Sequence, residues 1–121
     1  ALAALAAHAE ILVLTNVPAH AADARRRNLA AHGAPYPLVA NTGGKGRALR
    51  YLWDRTRGAM AFIDDSPQQI RSAAARAPGV TRLHFVADDD LRRLAGACPE
   101  ADASPASWAE IQAELEARIL R

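Results

Sequence analysis

Apolar residues in this chain fall into short continuous runs, each ending in polar residues. Ile11-Leu12-Val13-Leu14 ends in Thr15-Asn16, and Leu38-Val39-Ala40 ends in Asn41-Thr42. Residues 60–63 end in Asp64-Asp65, and a fourth strand, 83–86, apolar except for His84, leads to Asp88-Asp89-Asp90. Short apolar runs bounded in this way predict strands buried on both faces. Helical patterns separate them. Residues 2–9 are rich in Ala and Leu, both strong helix formers. A second helix is predicted over 19–32, after Pro18 and before the stop at Gly33. Pro35 and Pro37 punctuate the return. Further helices are predicted over 47–57, ended by Gly58, and over 68–77, stopped by Pro78-Gly79. A short helix follows Asp88 through Leu94, and residues 96–105 read as a loop. The last helix, 108–120, places Trp108, Ile111, Leu115 and Ile119 on one stripe.

Strand and helix alternate throughout, with no internal repeat, low-complexity tract or linker. The pattern predicts an α/β fold with a parallel sheet and right-handed crossovers. A chain of 121 residues is one domain's worth. Half of it is hydrophobic but aromatics are few, so Leu, Ile, Val and Ala must build the core.

The net charge of +2 and pI of 9.2 are mildly basic. No Lys/Arg stripe accompanies them, so a nucleic-acid partner is not expected. No apolar run reaches the length of a membrane span, and the N-terminal segment lacks the basic flank of a signal peptide. Cys98 is the single cysteine, which rules out an internal disulfide and suits a reducing, cytoplasmic compartment. The chain begins with Ala1 rather than Met, as a processed protein or an excerpt of a longer one would.

Parallel strands joined by helices put their carboxyl ends on one edge, where open α/β sheets bind ligands. Thr15-Asn16, the 41–46 loop and Asp64-Asp65 are therefore expected on one rim. Adjacent carboxylates repel each other unless a cation lies near them, and Mg²⁺ favours such oxygen ligands. A hydroxyl, a Gly-rich helix start and a lysine suit a phosphate. Lys45 is the only lysine in an arginine-rich chain. Each feature also has a plainer explanation. Asp65 or Ser66 could simply cap a helix with Pro67 at its first position. Asn16 could be a turn former before Pro18, the three glycines of 43–46 an ordinary loop, and Lys45 a surface charge.

In this order and spacing the residues resemble the haloacid dehalogenase-like (HAD) hydrolase superfamily. The strand ending in Thr15 looks like its second motif, Lys45 at the start of the helix after the next strand like its third, and Phe62-Ile63-Asp64-Asp65-Ser66 like its acidic fourth. The resemblance runs from Ile11 to about Val86. It implies a three-layer Rossmann-like parallel sheet with helices on both faces, a small phosphorylated substrate, and phosphatase chemistry through an aspartyl-phosphate with Mg²⁺. Thr15 and Lys45 would be catalytic. Thr15, Asn16, Gly44 and Lys45 would bind substrate. Asp65 would hold the metal directly, with Asp64 assisting. Dehalogenase chemistry also occurs in the family, but the acidic pair favours a metal and hence phosphate.

The family's first motif, a strand ending in Asp-x-Asp that supplies the nucleophile, has no counterpart before Thr15. Asp88-Asp89-Asp90 has the spacing but opens a helix. The family's missing strand is the central one, between those carrying Thr15 and Asp64. The expectation is therefore a single HAD-like core domain over 1–121, incomplete at its N-terminus and without a cap domain. The alternative is a non-catalytic α/β domain that binds a phosphorylated ligand or a protein. A phospho-receiver domain carries its acids on the first strand, and a P-loop needs a Gly where Val39 stands and a hydroxyl where Gly46 stands. No G-x-G-x-x-G follows a strand. His8, His20, His32 and His84 lack metal-ligand spacing, and His84, alternating with Leu83 and Phe85, reads as structural. Arg25-Arg26-Arg27 reads as a solvated helix face.

Overall fold

A computed structural model describes residues 2–56 and 58–120. The predicted end of the third helix at Arg57 lies outside the described residues. The chain forms two compact units that divide between Gly43 and Gly44.

The first unit holds α1 (Leu2–Ala6), β1 (Val13–Thr15), a 3₁₀ turn (Ala19–Ala21), α2 (Ala22–Ala31) and β2 (Leu38–Ala40). β1 and β2 are parallel, in register from Val13 opposite Leu38 to Thr15 opposite Ala40. The ladder is shorter than the apolar run that predicts it. Its ends are the bonds from Val13 N–H to the Pro37 carbonyl and from Asn41 N–H to the Thr15 carbonyl, both 2.8 Å. Pro37 and Pro35 have no N–H to donate, so pairing cannot extend towards Ile11. Leu12 is left exposed. The second helix starts late because Pro18 accepts a bond from Ala21 N–H, forming the 3₁₀ turn first. It ends where Gly33, at φ +79°, turns the chain and donates to the Ala30 carbonyl, the positive-φ stop that favours glycine.

The second unit holds α3 (Gly46–Arg55), β3 (Ala61–Asp64), α4 (Pro67–Arg76), β4 (Thr81–His84), α5 (Asp89–Ala95) and α6 (Trp108–Arg118). β3 and β4 pair in parallel, Ala61 opposite Thr81 through Asp64 opposite His84. The fourth strand thus begins two residues before its apolar run. Polar Thr81 and Arg82 occupy ladder positions that hydrophobicity alone does not reveal. On the far edge of β4, Arg82 accepts from Asp102 N–H and His84 donates to Ala103. The loop predicted over 96–105 therefore runs alongside the strand at this point.

Helix α4 packs against α3, β3 and β4. Its Ile70, Ala73 and the following Ala77 are fully buried, as are Leu83 and Ile111, with Phe62, Val80 and Leu115 beside them in the core. Phe85 meets Trp108 edge-on at 5.4 Å between ring centroids. Of the predicted α6 stripe, Ile111 and Leu115 are buried, Ile119 is half-buried and Trp108 lies partly in solvent.

The architecture is mixed α/β, with six helices and two separate parallel strand pairs among the described residues. Among the described residues β1, β2 and β3 each have no hydrogen-bonded neighbour on their other edge, whereas β4 is bridged there to Ala103. No described helix is long and apolar enough to cross a membrane.

Candidate functional site

The acidic pair occupies the end of β3 and the first residue after it. Ser66 follows in extended conformation, and its hydroxyl accepts from Gln69 N–H, with Pro67 at the first helical position. Ser66, rather than Asp65, is therefore the cap of α4. Asp65 is exposed, and its carboxylate makes no hydrogen bond or ion pair among the described residues. The plain capping explanation does not account for it.

Asp64 is placed differently. Its Oδ2 lies 2.7 Å from Lys45 Nζ, with only 7% of the Asp64 side chain and 14% of the Lys45 side chain exposed. Its Oδ1 accepts from Ser66 N–H at 2.8 Å. A pair this buried is costly to desolvate, and removing one partner strands the other charge. Lys45 is thus not a surface charge. Two of the residues expected at the site, 19 positions apart in sequence, are in direct contact.

Lys45 is held from behind. The first turn of α3 has no capping side chain of its own. Instead Gln69 Oε1 accepts from Lys45 N–H at 2.7 Å, and Ser72 Oγ accepts from Gly46 N–H at 2.9 Å. Helix α4 therefore caps α3 across their interface and satisfies donors that a helix start otherwise leaves open. Glycine is required for that approach. A Cβ on Gly44 would lie 2.6 Å from Ser72 Oγ, and one on Gly46 would collide with the Ser72 carbonyl. These glycines thus have a packing function, and the N–H groups of Lys45 and Gly46 that would greet an anion are already engaged. Gln69 and Ser72 escape sequence reasoning. The available signal was two polar residues three apart, on one face of the helix.

The remaining expected residues belong to the first unit. Thr15 is half-buried at the end of β1, and its hydroxyl makes no hydrogen bond among the described residues. Asn16 ties two loops together. Its Nδ2 donates to the Gly43 carbonyl at 2.9 Å, and its Oδ1 accepts from Asn41 Nδ2 at 2.9 Å. Gly43 turns at φ +78°. The amide of Asn16 is thus largely spent within its own unit, which adds a structural role to the expected substrate contact.

Among the described residues, no three His, Cys, Asp or Glu side chains cluster into a metal cage. Mg²⁺ does not require one. It keeps several waters and is commonly held by one or two carboxylates together with substrate oxygens. A solvent-facing Asp65 beside a charge-neutralised Asp64 fits that donor set. No known family model matches the chain, and neither a curated protein nor a solved structure is similar to it.

Proposed function

We propose that this chain belongs to a Mg²⁺-dependent hydrolase of the HAD-like kind, acting as a phosphatase on a small phosphorylated substrate. One observation carries the reading. At the carboxyl end of a parallel strand, Lys45 locks Asp64 while Asp65, next in the chain, stays exposed and unpaired. A purely structural cluster has no need of the second carboxylate. In this reading Asp65 holds the metal and Asp64 sets the loop's charge and shape. The Lys45 ammonium supplies positive charge near the reacting phosphate. Mg²⁺ when bound neutralises phosphate oxygens. Gly44 would complete the substrate contacts.

The reading needs a nucleophile from an Asp-x-Asp strand outside residues 1–121, within a Rossmann-like three-layer sheet. The open edge of β3 gives such a strand something to bond. The nucleophile would attack phosphorus, the leaving alkoxide would take a proton, and water would then hydrolyse the aspartyl-phosphate.

A second reading, a non-catalytic binding domain, is favoured by the engagement of the Lys45 and Gly46 N–H groups. Phosphate release from an aryl phosphate by the full natural chain, with and without Mg²⁺, separates the two. Mg²⁺-dependent release supports the hydrolase. A folded protein that releases none supports the binding domain.

A further inference from the structure

His84 is a buried polar residue of the core, 4% exposed, and it lies outside the Lys45–Asp64 ion pair. It stands opposite Asp64 in the β3–β4 register, so the two side chains share one face of the sheet. Its Nε2 lies 3.0 Å from the backbone carbonyl of Asp65. A carbonyl only accepts, so Nε2 carries the proton and donates.

The consequence follows from covalent geometry. The Asp65 carbonyl and the Ser66 N–H belong to the same planar peptide unit. His84 holds the carbonyl end, and Asp64 Oδ1 holds the N–H end at 2.8 Å. With both ends fixed, the plane cannot rotate about the bonds that flank it. The Asp65 Cα lies in that plane and carries the exposed carboxylate. We propose that His84 is a positioning residue: by clamping the Asp65–Ser66 peptide against Asp64, it aims the Asp65 carboxylate. This rests on the reading of Asp65 as the metal-holding residue. The clamp itself does not.

The test uses His84→Gln, which keeps an N–H donor near the Nε2 position, and His84→Phe and His84→Met, which keep bulk and lose the donor. Having two donorless variants guards against one failing to fold, which thermal melting checks. The first readout is hydrogen exchange at the Ser66 amide. Losing the donor should speed it about 10-fold, the scale of one hydrogen bond, and Gln should largely restore protection. Unchanged exchange in a folded donorless variant overturns the clamp. The second readout is Mg²⁺ affinity by titration calorimetry in the full natural chain. A donorless variant should lose on the order of 10-fold, as residues supporting a metal ligand do. Adding it to Asp65→Asn should cost nothing more. Faster exchange with unchanged Mg²⁺ affinity, while Asp65→Asn still weakens binding, overturns the positioning role alone. Mg²⁺ affinity indifferent to Asp65→Asn overturns the metal reading and the positioning role together.

Discussion

A Cβ on Gly46 would run into the backbone carbonyl of Ser72. That single approach brings α4 close enough to cap α3 and fixes the backbone of Lys45. A carbonyl cannot swing aside as a flexible side chain can. Gly46→Ala should therefore force the helices apart and destabilise the second unit by about 1–3 kcal/mol, the usual cost of overpacking. Gly58, with open space around it, should accept Ala with little loss. Chemical denaturation of the two variants makes the comparison. Equal effects would show that the approach is not needed.

The Lys45–Asp64 pair should be felt first in stability. Lys45→Met leaves a carboxylate 7% exposed without its counter-charge, and breaking such a pair costs about 3–5 kcal/mol. Replacing both residues with apolar ones should recover part of the loss, since two buried charges are then absent. Denaturation of the single and double variants measures this. A single variant as stable as the parent would mean that the ion pair does not form.

Asp65 should behave in the opposite way. It is exposed and unpaired, so Asp65→Asn should shift stability by less than about 0.5 kcal/mol. It should weaken Mg²⁺ binding more than Asp64→Asn does, whereas Asp64→Asn should lower the melting temperature clearly. Calorimetric titration and melting on both variants test the division of labour. Equal metal effects would contradict it.

These contrasts mark what could be read in the sequence. Ser66-Pro67 after an apolar run announced the start of α4, and Pro37 and Asn41 bounded β2. The β3 terminus with its two acids was equally plain, because strand ends are written locally. Other features depend on distant partners. Thr81 and Arg82 are strand residues because β3 lies beside them. Arg82 holds its place by donating to the carbonyls of Glu100, Pro78 and Val80. The packing role of Gly44 and Gly46 appears only once Ser72 is opposite them. The same is true of His84, whose alternation with Leu83 and Phe85 indicated burial but not the carbonyl it holds.

The strand edges give a further expectation. Met60 and Asp64 accept from Thr81 and Phe85, so by alternation the peptide groups of Ala61 and Ile63 face the edge away from β4. Residues 1–121 alone should exchange the Ile63 amide rapidly and self-associate through such edges. The longer protein that the proposal requires should protect that amide at least about 100-fold better. Hydrogen exchange read by mass spectrometry or NMR decides it. Equal protection in both would mean that no further strand pairs there.

The most direct measurement is phosphate release from an aryl phosphate by the full natural chain, in Mg²⁺ and in chelator, for the parent and Asp65→Asn. The account predicts release only with Mg²⁺, reduced on the order of 10²-fold or more in Asp65→Asn, because its electrostatic support is lost. A folded parent that releases no phosphate, or releases it equally without Mg²⁺ and without the Asp65 carboxylate, would contradict it.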